Sequence, residues 1–547
     1  MQPIPLDSFN QFLTEVRELE RQITDPESQP DMEKVERFIQ HNHKWLQLIA
    51  EHPSANREPV EQLCNRLIQI ESPEGSKVAN LIGTYLTRNV SLHKDALKEV
   101  LRHTGQMTDP TMRRTMANTA RVSKTWKVSS DEARIDLINE NHLKLKDLGF
   151  KSAEDAINFL IKSKDRVKYV NFEELPITNE QFKKLTENCT NLTHIEIPKG
   201  LQHFLHPAGG ISGDSLKYLA NTPNLQSLDI TGCAQLEPDA LKHLANTPNL
   251  QSLNISGCRQ LDHDSLEHLA NTPKLQSLDI SYCEQLEPDA LKHLAKIPNL
   301  QSLDISVCEQ LEPDALKHLA NTPNLKFFRM TGCDRLEPDA LKHLANTPKL
   351  QSLDITGCAQ LESDALKHLA KTPNLQSLNI SGCAQLDEPD ALKHLANTPN
   401  LKFFQMTGCD RLEPDALKHL ARTPNLQSLG ISGCEQLEPD ALKHLANTSN
   451  LQSLTMCWCR QLESDALKHL ANTPNLQSLD ISYCTQFENR EVLKPLANKP
   501  NLKFFQMTGC DRLATSLRLL NSFQYNRNKD FIFTGRELEY LLRSFNW

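Results

Sequence analysis

Glycine is scarce in this chain of 547 residues, with 18 copies, and aromatic residues make up only 5%. Glycine and proline together are too few for a low-complexity disordered chain. No run of 18 apolar residues occurs, so nothing in the sequence is expected to span a membrane. The opening Met1-Gln-Pro-Ile-Pro-Leu-Asp-Ser-Phe9 lacks a basic stretch followed by an apolar one, and no secretory signal peptide is expected. Basic excess is missing too. The net charge is −9, which argues against nucleic acid as the main partner, because a phosphate surface wants a basic stripe. There is no Gly-x4-Gly-Lys-Ser/Thr phosphate loop, no HExxH and no nucleophile-elbow phrase. A non-enzymatic chain without catalytic, cofactor-binding or metal-binding residues is therefore expected.

What is present is a beat. Cys233, Cys258, Cys283, Cys308, Cys333, Cys358, Cys383, Cys409, Cys434, Cys459, Cys484 and Cys510 recur every 25 residues, with two steps of 26. A fixed period of this length is the mark of a stacked solenoid. Stacking would bring the twelve cysteines into one buried column, where a free thiol behaves as a small apolar residue. This favours a reduced, cytoplasmic chain over a disulfide-bonded one.

The phrase from Leu225 to Asn249 shows how one unit folds. Leu228 and Ile230 share one face of a short strand, with Ser227, Asp229 and Thr231 on the other. Glu237-Pro238-Asp239 opens a helix, since proline suits its first turn and acids suit its positive end. Ala240, Leu241, Leu244 and Ala245 make the buried stripe of a helix of about two turns. Strands stack at about 4.8 Å and helices at about 10 Å, so the array must bend into a horseshoe with strands on the concave side.

The pattern Leu-x-x-Leu-x-Ile/Met-x-x-Cys-x-x-Leu resembles the cysteine-containing leucine-rich repeat. The implied fold is an α/β solenoid over 166–513, preceded by an all-α region. Weaker copies are expected at Val167–Phe172 (strand), Asn179–Leu185 (helix) and Leu192–Ile197 (strand), with an irregular insertion over 198–214. After Cys510 the beat stops, and 514–547 reads as a helical cap.

Outward strand positions form the candidate partner face. The Asp229 column contains Asp279, Asp304, Arg329, Asp354 and Asp480, acidic enough to suit a basic segment. The same column also reads as an ordinary polar sheet surface. Three units depart together, placing Phe327, Phe403 and Phe504 outward beside the inward Phe328, Phe404 and Phe505. Exposed aromatics are good protein anchors, although duplication of the block also accounts for them. Tyr282, Trp458 and Tyr483 fall at strand ends and join this face. The histidine column, His243 to His469, reads as a solvated helix face, because helices about 10 Å apart keep the rings from sharing a metal. Cys64, without a histidine and acid arrangement around it, reads as a packed core cysteine.

Residues 1–90 read as helices that cap the solenoid or dock elsewhere. In 91–165, the phrase Ala120-Arg-Val122-Ser-Lys124-Thr-Trp126 resembles the closing phrase of an F-box, although Leu92-His-Lys-Asp-Ala96 stands where that family has Leu-Pro. An F-box ahead of such repeats is similar to the substrate receptors of cullin-type ubiquitin ligases. That resemblance implies a Skp1-like adaptor on Val100, Leu101, Val122 and Trp126, a protein target on the concave face, and a monomer outside its complex. The other reading is an interaction scaffold with no ubiquitin link. The near-identity of the copies is similar to arrays in eukaryote-like effectors of intracellular bacteria, for which the host cytoplasm would be the location.

Overall fold

A computed structural model describes residues 131–197, 211–518 and 532–534, save 132, 133, 137, 336, 384, 386–390, 410–413, 464, 489, 498 and 500. Two compact units divide between Ile197 and Pro198.

In the first unit, strand β1 (Tyr169–Asn171) pairs in parallel with β2 (His194–Glu196). Helix α1 (Ala153–Ile161) begins where the Ser152 side chain accepts from the Asp155 amide. Helix α2 (Asn179–Asn188) begins at a reciprocal cap between Thr178 and Gln181, which satisfies two of the amides that a helix start leaves unpaired. Both strands and α2 lie where the sequence pattern puts them.

The second unit repeats one three-residue strand. These are β3 (Ser227–Asp229), β4 (Ser252–Asn254), β5 (Ser277–Asp279), β6 (Ser302–Asp304), β7 (Phe327–Arg329), β8 (Ser352–Asp354), β9 (Ser377–Asn379), β10 (Phe403–Gln405), β11 (Ser428–Gly430), β12 (Ser453–Thr455), β13 (Ser478–Asp480) and β14 (Phe504–Gln506). Each pairs in parallel with the next, position for position, as Ser227 with Ser252 and Phe327 with Ser352. The register follows from alternation: the middle residue of each strand is buried and its flanks face out.

Behind the strands the twelve cysteines are buried and unbridged. Their thiols tie each unit to an earlier one: Cys258 Sγ lies 3.5 Å from the Ile230 carbonyl, Cys308 Sγ 3.3 Å from that of Ile280, and Cys484 Sγ 3.1 Å from that of Met456. Burial pushes the Cys283 and Cys459 thiols up to about 12, which leaves them inert as nucleophiles. At the other end of most units an asparagine ladder recurs, as in Asn324 Nδ2 to the Pro298 carbonyl at 2.7 Å.

The outer segments differ from the expected two-turn α-helices. Most are 3-10 helices, such as Pro238–Asn246 and Pro313–Asn321, with short α turns only at places such as Leu366–Leu369 and Ala466–Leu470. With 3.0 residues per turn this spiral is thinner than an α-helix. Of the expected stripe, Ala240, Leu241 and Leu244 are buried, whereas Ala245 is exposed, because three residues per turn carry it off the inner face. Thr247 Oγ1 closes its end by donating to the Leu244 carbonyl at 2.7 Å.

Beyond β14 the chain forms a helix over Asp511–Arg518 and then strand β15 (Ile532–Thr534), antiparallel to β14. A purely helical cap was expected over 514–547. The strand instead pairs with the β14 edge, which would otherwise present unpaired backbone groups.

Candidate partner-binding face

The outward residues of β5 to β11 line an open hollow of about 820 Å³. Phe327 and Phe403 stand in it, each 49% exposed. Their neighbours Phe328 and Phe404 are buried, as alternation along a strand requires. Phe504 is placed otherwise. It is only half-buried and sits beside β15, paired with Thr534, outside the hollow.

The acidic column is less free than its composition suggests. Asp229 Oδ1 accepts from the Thr231 amide at 2.9 Å and from its hydroxyl at 2.6 Å. Asp279, Asp304, Asp354 and Asp480 bond the amide two residues on in the same way. These carboxylates hold the turn that ends each strand, and the Asp-x-Ser/Thr spacing is the signal for it. Burial pushes the Asp279 carboxyl up, against the hydrogen bonds from Ser281. Arg329 departs from the acidic column and bridges two neighbours, 3.5 Å from Asp304 and 3.5 Å from Asp354. Its side chain remains mostly in solvent, so the pair of contacts orients a cation inside the hollow more than it stabilises the fold.

The strand-end position adds something the spacing alone did not show. Most units place glycine there at positive φ, as at Gly232 (φ 70°) and Gly357 (φ 71°). Tyr282, Val307, Trp458 and Tyr483 adopt the same left-handed backbone, at φ 57°, 55°, 61° and 61°. For residues with a Cβ that conformation costs roughly 1–2 kcal/mol. In return Trp458 is 46% exposed and stacks on Tyr483, with ring centroids 4.3 Å apart and an interplanar angle of 7°. Gly509 lies under the Tyr483 ring, where a Cβ would come within 2.4 Å of it.

The other sequence-derived sites fall differently. Val100, Leu101, Val122, Trp126 and Cys64 lie outside the described residues. The histidine column is not the freely solvated face expected of it. The side chains of His318, His368, His444 and His469 tuck between outer segments, with Nε2 3.5 to 3.9 Å from an aspartate of the preceding unit. At one place a histidine of the column meets carboxylates of the preceding unit: donor atoms of His293, Asp264 and Glu267 all lie within 4.8 Å of one another. Among the described residues no helix is long and apolar enough to cross a membrane.

Residues 142–358 match the family model described as the SKP2 LRR domain. No curated protein matches the chain by sequence. Among solved structures, a chain of the yeast Rad7–Elc1 complex is similar at 20% identity, covering 70% of this chain and 95% of that one, with a TM-score of 0.44. An internalin from Listeria monocytogenes is 21% identical over 59% of this chain and 82% of its own, with a TM-score of 0.39. A chain of the TLR13–ssRNA13 complex is 17% identical over 63% of this chain and 54% of its own, with a TM-score of 0.38. With its in-register parallel strands, buried cysteine column and outer helical segments, the second unit has the fold of a leucine-rich-repeat solenoid.

Proposed function

We propose that the strand face grips a protein target and that the segment ahead of the repeats recruits a Skp1-type adaptor, making the chain a substrate receptor of a cullin-type ubiquitin ligase. The observation that carries target binding is the pair Phe327 and Phe403, half-exposed in one hollow around Arg329. Two apolar anchors beside a fixed cation suit an acidic peptide or loop with large apolar side chains. The recruiting half rests on the Ala120–Trp126 phrase, supported by the match of the neighbouring repeats to the SKP2 LRR domain.

Purified full-length chain mixed with Skp1 tests the recruiting half. Retention of Skp1 is expected, with loss on combined Val122→Ala and Trp126→Ala. Phe327→Ala with Phe403→Ala should leave Skp1 retention intact while removing the target captured from cytosol. A chain that captures a target through those phenylalanines yet never retains Skp1 is an interaction scaffold with no ubiquitin link, the reading that the missing Leu-Pro opening favours.

A further inference from the structure

On the helix side one unit breaks the pattern of all the others. Eleven of the twelve outer segments carry lysine at the position after Asp-Ala/Ser-Leu or its equivalent, and only Glu267 replaces it. Elsewhere that lysine neutralises the aspartate three residues before it, as Lys342 does for Asp339 at 3.4 Å and Lys367 for Asp364 at 2.8 Å. Asp264 has no such lysine and instead shares its segment with a second carboxylate. The next unit presents His293 to both. This imidazole is 3% exposed, and neither ring nitrogen has a hydrogen-bond partner. A buried ring with two unsatisfied nitrogens costs free energy unless something fills the coordination.

We propose that Asp264, Glu267 and His293 bind a divalent transition-metal ion of the zinc type, tying the segment Ser265–Asn271 to the following one, Pro288–Lys296. One imidazole and two carboxylates are suitable donors for zinc, with water completing a tetrahedron. Their present separation, up to 4.8 Å, exceeds that of donors sharing one ion at about 2.0–2.2 Å each. Asp264 and Glu267 are exposed, whereas His293 is buried, so closing on an ion would fall to the two carboxylates. Burial, followed by Lys296, lowers the pKa of His293, while the Glu267 and Asp264 carboxylates act in the opposite direction. Two basic neighbours compete for the carboxylates: Lys296 Nζ is 3.7 Å from Glu267, and His263 Nε2 is 3.4 Å from Asp264. The Lys296 position is asparagine in Asn246, Asn271 and Asn321 and basic again in Lys371 and Arg422. The site lies on the outer segments and is independent of the strand face.

Calorimetric titration of the chelator-treated full chain with zinc chloride tests the assignment. One zinc per chain should bind more tightly than any remaining histidine background. Glu267→Lys restores the residue that every other copy folds with, so a folding failure is not expected to confuse the result. It should weaken that site at least ten-fold and abolish the zinc-dependent rise in thermal midpoint seen in the unsubstituted chain. His293→Gln should do the same, and Lys296→Asn should tighten binding. Equal zinc affinity in the unsubstituted chain and Glu267→Lys would overturn the proposal, as would saturation by calcium in place of zinc, which would leave the imidazole without a role.

Discussion

On the outer side of the repeats, Pro-Asp-Ala-Leu-Lys-His-Leu recurs almost unchanged, whereas on the strand side one outward column runs Asp304, Arg329, Asp354, Asn379, Gln405. Both sides must stack identically to keep the solenoid in register, so packing cannot explain the contrast. Inward residues obey packing on both sides: Leu303, Phe328 and Leu353 are buried, as are Leu316 and Leu341. The freedom to vary is concentrated where side chains leave the core on the strand side. What varies there is what a partner would meet.

The sharpest way to break this comparison uses two adjacent phenylalanines. Phe328→Ala empties a buried site and should cost about 3–5 kcal/mol in urea unfolding. Phe327→Ala, one residue away on the outward face, should change stability by no more than about 0.5 kcal/mol while weakening target binding at least ten-fold. Equal destabilisation by both would mean that Phe327 belongs to the fold, and the strand face would lose its leading anchor.

A smaller effect separates strain kept for binding from strain with no such use. Val307 and Trp458 both occupy the left-handed position that glycine fills in most units. Val307→Gly relieves the backbone and should stabilise by about 1 kcal/mol, after the extra flexibility that glycine gives the unfolded chain. Target binding should not change. Trp458→Gly relieves the same strain but loses the stack on Tyr483, worth about 0.5–1.5 kcal/mol. Its stability should stay nearly level while binding falls. A stabilised Trp458→Gly variant that binds normally would remove the stacked pair from the partner face.

The period made most of the second unit legible beforehand: strand positions, inward and outward faces, and the cysteine column follow from one 25-residue phrase repeated. The first unit's strands and α2 were legible too, because Val170, Phe172, Ile195 and Ile197 alternate and Thr178 heads a helical stripe. The 3-10 form of the outer segments was not. Ala-Leu-x-x-Leu spacing serves both helices, and only the crowding of stacked units chooses between them. The turn-holding role of the aspartates was hidden because the same residues also read as surface charge. β15 carries no repeat signature, and its pairing with β14 depends on an edge that exists only once the array has folded. The grouping at His293 was missed because the histidines were weighed against one another and not against the carboxylates of the preceding unit.

The histidine column offers the mildest test of the two sides. Burial, followed by a neighbouring lysine, lowers the pKa of His243, His318, His343 and His368, although Asp289 at 3.9 Å pulls His318 the other way. A histidine whose folded pKa lies below its unfolded value leaves the unfolded chain binding more protons as pH falls through about 6.5. Stability should therefore be flat above that point and decline below it. The urea midpoint is expected to fall gradually between about pH 7 and pH 5.5, before the carboxylates titrate. Replacing His318, His343 and His368 with glutamine should flatten that slope without touching target binding. A midpoint that rises on acidification would show that the aspartates, and not burial, govern these rings, and the outer side would then be held by charge as well as by packing.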